Sequence, residues 1–475
     1  MHKFIKKVST LFLSIFILIS IKSDLVYSAN TFSQVVEGFD WGPCVTKMVI
    51  KLDKEVSVGK ENGILSENSF SVITTKKGYQ EPTETEERSV QKAYTSDEKG
   101  NYIKTSTNYI TLELLCNPTA GNPFYYNLQE TQRNEWSVPY TSQITLKNDV
   151  TLGEETFLSS TFSVNEEPTK NHLILVDDVF VNNTHTLGQT TLGYAYYKCK
   201  NETNKGLVIW IHGMGEGGTD TTIDLYGNKV TALANTTIQN DLKNNCDILV
   251  IQTPTYWLDL TKEGKAQFTP NIYTETFKSL VDKYVSENNI KKDRIYIGGC
   301  SMGGYMTMNM ILNYPNYFSA AYFAAEAYAD EYISDEQIES IKHIPMWFIH
   351  AKNDGTVDVT KTTNATIERL KKANAAEIHY SYYIDVVDTS RVYDYVLGSQ
   401  YKYDAHWSWV YLFNDECTDN GETVFTWLSK INNKNDESNS DSVRPGEGSV
   451  KDDESSVQLI KNSIFIRILL FVFIF

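Results

Sequence analysis

Apolar and polar positions alternate over short runs in the first third of the chain, at residues 45–52, 70–75, 109–115 and 143–146. Turn formers close these runs, as at Lys76-Lys77-Gly78 and Asn117-Pro118. A period of two places every second side chain on one face of a strand. A series of such strands with no helical spacing predicts a β-sandwich over residues 30–165. From about residue 170 the pattern changes. Near-continuous apolar runs at 206–212, 247–252, 294–298, 345–350 and 376–385 alternate with helically spaced stretches, including 275–288 and 360–374. Strands buried on both faces read this way. Residues 170–432 are therefore expected to form a mostly parallel sheet flanked by helices, with a last helix over 422–431. Sheets of this kind carry their chemistry at the carboxyl ends of the strands.

The two ends of the chain differ from its body. Lys3, Lys6 and Lys7 precede an apolar run over 8–21, and Val26-Tyr27-Ser28 offers a cleavage point, so residues 1–28 are expected to be a secretory signal peptide. An uncleaved membrane anchor is the alternative. Residues 433–462 are rich in Asn, Ser, Asp, Glu and Gly and are expected to be a disordered polar linker. Residues 463–475 form a hydrophobic tail shorter than the ~20 residues a spanning helix needs. Small residues near Gly448-Ser449 or Ser455-Ser456, a polar spacer and this tail resemble a GPI-attachment signal in a eukaryotic host; in a bacterium the tail would be another surface-retention segment.

Composition narrows the partners. The 475 residues are 41% hydrophobic, enough for packed cores, and carry a net charge of −17. No basic cluster lies in the body of the chain, which argues against a nucleic-acid partner. Six cysteines are too few for a disulfide scaffold, although Cys44 and Cys116 could pair. No Cys/His spacing points to zinc, and no phosphate-binding glycine pattern is present.

The chemistry is concentrated at Gly299-Cys300-Ser301-Met302-Gly303. This G-x-S-x-G sequence follows the apolar run Arg294-Ile295-Tyr296-Ile297-Gly298 and precedes a helical pattern stopped by Pro315. Strand, tight turn and helix form the setting of a nucleophile elbow, where strain lifts the serine clear of the sheet and glycines avoid clashes on either side. A serine hydroxyl needs a base, and the base a carboxylate to fix its tautomer. In α/β-hydrolases these follow in the order Ser, acid, His. The acid candidate is Asp354, in the loop after the strand ending at His350, with Asp358 as rival. The base candidate is His406, in Tyr403-Asp404-Ala405-His406-Trp407-Ser408-Trp409, rather than His343 or His379; His350 is expected to support the Asp354 loop. An oxyanion needs two donors. The backbone N–H groups of Met302 and of Met214, in His212-Gly213-Met214-Gly215-Glu216-Gly217-Gly218, are the candidates.

Together these motifs resemble secreted α/β-hydrolase esterases, a group related to polyhydroxybutyrate depolymerases and prolyl-oligopeptidase-like hydrolases. More narrowly, Glu37-Gly38-Phe39-Asp40-Trp41-Gly42-Pro43 and Val49-Ile50-Lys51-Leu52-Asp53-Lys54 are similar to the start of the immunoglobulin-like domain that some of these esterases carry. The resemblance implies an α/β hydrolase preceded by an all-β immunoglobulin-like sandwich. It implies Ser301, Asp354 and His406 as the triad, Met214 and Met302 as oxyanion donors, and Trp257 as a residue lining the acyl pocket. The chain departs from many relatives in having Lys352-Asn353 where they have Gly. The expected activity is that of a secreted or surface-held serine carboxylesterase working through an acyl-enzyme. Its substrates would be small-molecule or polysaccharide-linked esters, such as short acyl, feruloyl or acetyl esters, with no metal or cofactor. Membrane attachment would run through the C-terminal tail. Two rivals stand beside this reading. A prolyl-oligopeptidase-like peptidase would share the triad, but a sandwich of about 135 residues is too small for the usual propeller. A non-catalytic, carbohydrate-binding surface protein would have no use for an intact triad.

Overall fold

The computed structural model of the protein describes residues 30–58, 62–77, 82–165, 173–175, 179–258, 271–390 and 398–431. The expected signal peptide, polar linker and hydrophobic tail lie outside the described residues. The chain forms two compact units that interleave in sequence. One takes in the chain up to Val35, Val45–Cys116 and Val138–Ile174; the other takes in Val36–Cys44, Asn117–Ser137 and Leu175 onward.

The first unit is built on antiparallel sheets. The long strands Gly42–Val56 and Thr107–Leu114 pair within a six-stranded sheet, and Phe70–Lys76 pairs with Tyr140–Leu146 within a four-stranded one. The alternation seen in the sequence becomes a buried face here. Val72 and Ile144 are direct cross-strand partners and both are fully buried, while Thr74 and Ser142 pair through their hydroxyls at 2.9 Å. Cross-strand pairs of this sort hold the register, because a one-residue slip would turn the apolar side chains to solvent.

The second unit is an eight-stranded sheet. Its strands are β1 (Val181–Leu187), β2 (Thr190–Tyr197), β3 (Gly206–Ile211), β4 (Cys246–Gln252), β5 (Ile295–Cys300), β6 (Ala320–Ala324), β7 (Met346–Ala351) and β8 (Ile378–Tyr383). Their spatial order is β1-β2-β4-β3-β5-β6-β7-β8. β1 and β2 form an antiparallel hairpin, β2 meets β4 antiparallel, and every other pairing is parallel. Each residue of β3, β4, β5, β6 and β7 is buried, which is why those segments read as unbroken apolar runs. Helices α1 (Thr274–Glu287), α2 (Met302–Asn313), α3 (Asp335–Ile341) and α4 (Thr363–Lys372) fill the crossovers. α1 buries Phe277, Leu280, Val281 and Tyr284 at i, i+3, i+4 and i+7, one apolar stripe facing the sheet. α3 starts on a capping box formed by Ser334 and Gln337.

The centre of the sheet has little room to adjust. Gly298 on β5 lies opposite Tyr322 on β6, and a Cβ added at Gly298 would come within 2.3 Å of the Tyr322 ring. The Tyr322 hydroxyl donates to Ile209 O on β3 at 2.8 Å, so the ring is pinned across three strands. Gly298→Ala is expected to cost about 1–3 kcal/mol through overpacking. Tyr322→Phe is expected to cost about 1 kcal/mol through the lost hydrogen bond. Denaturant unfolding measures both, and an unchanged midpoint for Gly298→Ala would contradict this packing.

Candidate active site

Ser301 sits between the end of β5 and the start of α2 with φ 52° and ψ −116°, a conformation that side chains rarely adopt. The surrounding backbone holds it there. Its N–H donates to Ala324 O at 2.9 Å, and its carbonyl accepts from Ala327 N at 3.2 Å and Tyr305 N at 3.0 Å. The flanking glycines are needed for contact. A Cβ on Gly303 would lie 2.0 Å from Ile211 O, and one on Gly299 would lie 2.5 Å from the same oxygen. β3, β5 and α2 can approach this closely only without side chains at those two points. The helix begins at Met302, and its N-terminus presents unpaired N–H groups and a positive dipole beside the serine.

Asp354 leaves the end of β7 and is buried, as is His406. Asp354 Oδ1 accepts the backbone N–H groups of Thr356 and Val357, each at 2.8 Å. Its Oδ2 accepts His406 Nδ1 at 2.8 Å and His350 Nε2 at 3.0 Å. Burial alone would raise this carboxyl, but the His406 charge and the hydrogen bonds from His350 and His406 hold it far below the usual carboxylate range. Burial likewise disfavours a charged His406. The Asp354 charge and hydrogen bond, with smaller pushes from Asp404 and Glu216, nevertheless raise that imidazole above 6.5. The rival Asp358 is turned to Thr360, accepting its N–H and hydroxyl at 3.0 and 2.6 Å. His379 binds Asp419 and Glu377. Among the described residues no hydrogen bond joins Ser301 Oγ to His406 Nε2. Such catalytic contacts are commonly long in free enzymes and tighten with substrate.

The loop after β3 is fixed from below by a neutral histidine. Thr253 N–H donates to His212 Nε2 at 3.1 Å, so the ring hydrogen is on Nδ1 and points to Gly213 O. Burial lowers this imidazole to about 4, which keeps it neutral. Gln252 Nε2 donates to Glu216 O at 2.8 Å, and Gly218 N donates to Thr253 O at 2.8 Å. Glu216 is itself buried, and burial pushes its carboxyl up to about 7 against the opposing hydrogen bonds of Asn228 and Asn134. Met214, the expected donor, is half-buried and packs on the core. Trp257 is fully buried, with its ring 5.3 Å from His212, 5.8 Å from Tyr273 and 5.9 Å from Phe277. It packs against the root of the loop.

One part of the site went unrecognised in the sequence. The antiparallel hairpin of Phe124–Asn127 and Arg133–Trp136 belongs to the same compact unit as Ser301, Asp354 and His406. Asn134 N–H donates to Gly215 O at 2.7 Å, and Asn134 Nδ2 donates to Glu216 Oε1 at 3.1 Å. Arg133 Nη1 reaches Pro254 O at 2.5 Å, Trp136 Nε1 reaches Thr222 Oγ1 at 3.0 Å, and Tyr256 donates to Thr131 O. A segment that follows the first unit's strands in sequence thus braces the loop after β3. The only local signal was a run of aromatic and Asn/Arg side chains, which does not reveal its partner.

The arrangement can activate a serine, bind an oxyanion and pass a proton to a leaving group. No group of three or more His, Cys, Asp or Glu suited to a metal occurs among the described residues. Residues 31–190 match the esterase Ig-like N-terminal domain, and residues 192–386 match the phospholipase/carboxylesterase family. No curated protein matches the chain. A solved thermostable esterase is similar over 85% of this chain and 99% of its own, at 22% identity and a TM-score of 0.66, which shows the shared fold. An esterase of Pyrococcus furiosus aligns over 43% of this chain and 84% of its own, at 14% identity and a TM-score of 0.30. A ferulic acid esterase aligns over 43% and 89%, at 11% identity and a TM-score of 0.33.

Two outcomes follow from this geometry. His406 must be neutral to act as a base, so the acid limb of kcat/KM should have its half-point above 6.5. Asp354→Asn removes the cause, so the half-point should fall while kcat drops on the order of 10⁴-fold. A limb that stays in place in that variant would break the assignment. Asn134→Ala should lower kcat about tenfold by loosening the oxyanion loop, with the unfolding midpoint little changed. Steady-state kinetics beside thermal unfolding separates the two effects.

Proposed function

We propose that this chain, a carboxylic ester hydrolase joining an esterase immunoglobulin-like domain to an α/β-hydrolase domain of the phospholipase/carboxylesterase family, is a carboxylesterase that works outside the cell through an acyl-enzyme on Ser301. Ser301 Oγ attacks the ester carbonyl while His406 Nε2 takes its proton. The N–H groups of Met302 and Met214 receive the oxyanion. His406 then gives the proton to the departing alcohol, and the same base activates a water that releases the acid. Asp354 keeps the His406 hydrogen on Nδ1 and stabilises the ring when it is charged. The observation that carries the reading is the 2.8 Å contact of His406 Nδ1 with Asp354 Oδ2, at the carboxyl end of the sheet that holds Ser301 at φ 52°.

Export is supported by Lys3, Lys6 and Lys7 ahead of the apolar run over 8–21, and surface retention by the tail over 463–475. No helix among the described residues is long and apolar enough to cross a membrane. Short acyl esters, including acetyl or feruloyl groups on polysaccharides, are the proposed substrates; an exported esterase would meet them outside the cell. Hydrolysis of p-nitrophenyl acetate, butyrate and octanoate by the full chain should show burst release, and Ser301→Ala should lose at least about 10³-fold in kcat. A falling rate from acetate to octanoate supports the short-acyl pocket. Equal inactivity of both proteins on these esters would contradict the proposal.

A further inference from the structure

The loop that presents Met214 is held at two limbs, and the second depends on a side chain the mechanism above does not use. The outgoing limb is set by His212. Its Nδ1–H points to Gly213 O, and in a planar trans peptide the following N–H, that of Met214, points the opposite way. The returning limb ends at Asp220, which caps the short helix Thr221–Gly227. Gln252, the last residue of β4, is fully buried and ties this limb to the sheet. Its Nε2 donates to Glu216 O at 2.8 Å and to Asp220 O at 3.0 Å. Between those two carbonyls, Gly218 N donates to Thr253 O at 2.8 Å, so the limb bends around the end of β4. Gly193, opposite Gln252 on β2, leaves the amide its space: a Cβ there would lie 3.4 Å from Gln252 Oε1.

The hydrogens fix the direction of this amide. A primary amide nitrogen carries two, and a carbonyl oxygen can only accept. Both hydrogens of Gln252 are therefore committed to the loop, and turning the amide over would set its oxygen against two carbonyl oxygens. The orientation leaves Gln252 Oε1 buried with no hydrogen bond among the described residues. A buried polar atom without a partner is unfavourable. An apolar side chain of the same length would avoid that cost but leave two loop carbonyls without their donor. The fold tolerates the unpaired oxygen at a point where one atom must hold two carbonyls.

We propose that Gln252 is a positioning residue for the oxyanion: by pinning Glu216 O and Asp220 O through one amide, it fixes the returning limb and so the direction in which Met214 presents its N–H. Asn134 holds Gly215 O and Glu216 Oε1 from the hairpin, and Gln252 holds Glu216 O from the sheet. The Gly213–Met214 peptide can rotate only if Gly215 and Glu216 move with it, and these contacts oppose that. Fully buried, Gln252 acts through the loop. The proposal rests on the acyl-enzyme reading above, in which Met214 and Met302 receive the oxyanion.

The test compares the full-length wild type with Gln252→Met, neutral and of the same length, and Gln252→Glu, isosteric but without the two hydrogens. Hydrolysis of p-nitrophenyl butyrate gives kcat per active site, the sites being counted with an organophosphorus titrant. Inhibition by a butyl trifluoromethyl ketone reports on the oxyanion: Ser301 Oγ adds to the ketone carbon, the carbonyl electron pair moves to oxygen, and His406 takes the hydroxyl proton. Both variants should lose about 30-fold in kcat, and Ki for the ketone should rise by a similar factor. Acylation and deacylation both pass through an oxyanion and slow together, so KM should stay within about twofold. A mere loss of folded protein would lower the titrated site concentration and leave Ki unchanged. Near-UV circular dichroism confirms folding, and Gln252→Met decides alone if Gln252→Glu does not fold. An unchanged kcat in Gln252→Met, a fall in kcat with Ki unchanged, or a Gln252→Met protein that does not fold overturns the positioning role. A wild type no faster than Ser301→Ala, or one that the ketone does not inhibit, overturns the acyl-enzyme reading before any Gln252 variant is compared.

Discussion

The close approach of β3, β5 and α2 at Gly299 and Gly303 is the constraint on which the site depends. Added side-chain carbons there would lie 2.5 and 2.0 Å from Ile211 O. Because both positions are bare, the chain can reverse within one residue and carry Ser301 at φ 52° with its side chain clear of the sheet. The same contact sets the start of α2, and hence the direction of the N–H groups that can meet an oxyanion. It also sets the height of the β3 carboxyl end, from which the His212 loop departs. The strain is met by backbone hydrogen bonds to Ala324 and Ala327 and by a core in which β3 to β7 are buried throughout.

The unit that holds this point keeps Asp354 charged, while two other buried acids, Glu216 and Glu326, are biased toward the neutral form. Asp354 accepts four hydrogen bonds and stays ionised well below the ordinary range. Burial raises Glu216 and Glu326 to about 7 and 8. All three are buried; what sets Asp354 apart is the His406 charge beside it, the largest of the influences that lower it. The Asp354 charge and hydrogen bond are the largest influences raising His406, with smaller ones from Asp404 and Glu216. The hairpin over 124–136 works against that bias at Glu216, where Asn134 supplies a donor, and anchors Gly215 through the Asn134 backbone.

The strands that the sequence announced are those whose burial is complete. β3, β4, β5 and β7 appear as apolar runs because parallel strands covered on both faces leave no polar position to interrupt them. β6, Ala320–Ala324, is equally buried, but an alanine-rich run of five residues has no distinct period and was not expected. β1 escaped notice for the opposite reason: it is an edge strand with six of its seven residues exposed, and its two apolar residues, Val181 and Leu187, stand at its ends with no alternation between them. The last helix is shorter than its pattern, Val424–Leu428, because Glu422 and Thr423 are drawn into a small strand pair. Asp354, His406 and Ser301 could be placed from motif and chain order, and the structure sets Asp354, not Asp358, against His406. Asn134 and Gln252 could not be placed, because their partners are distant in sequence and their own surroundings are ordinary.

The most direct measurement is the site of reaction with an organophosphorus probe that esterifies activated serines, read by mass spectrometry of the digested full chain. The account predicts a single adduct on Ser301, with ester turnover falling in proportion as that adduct accumulates. A label on another residue, or full turnover persisting after Ser301 is esterified, would contradict it.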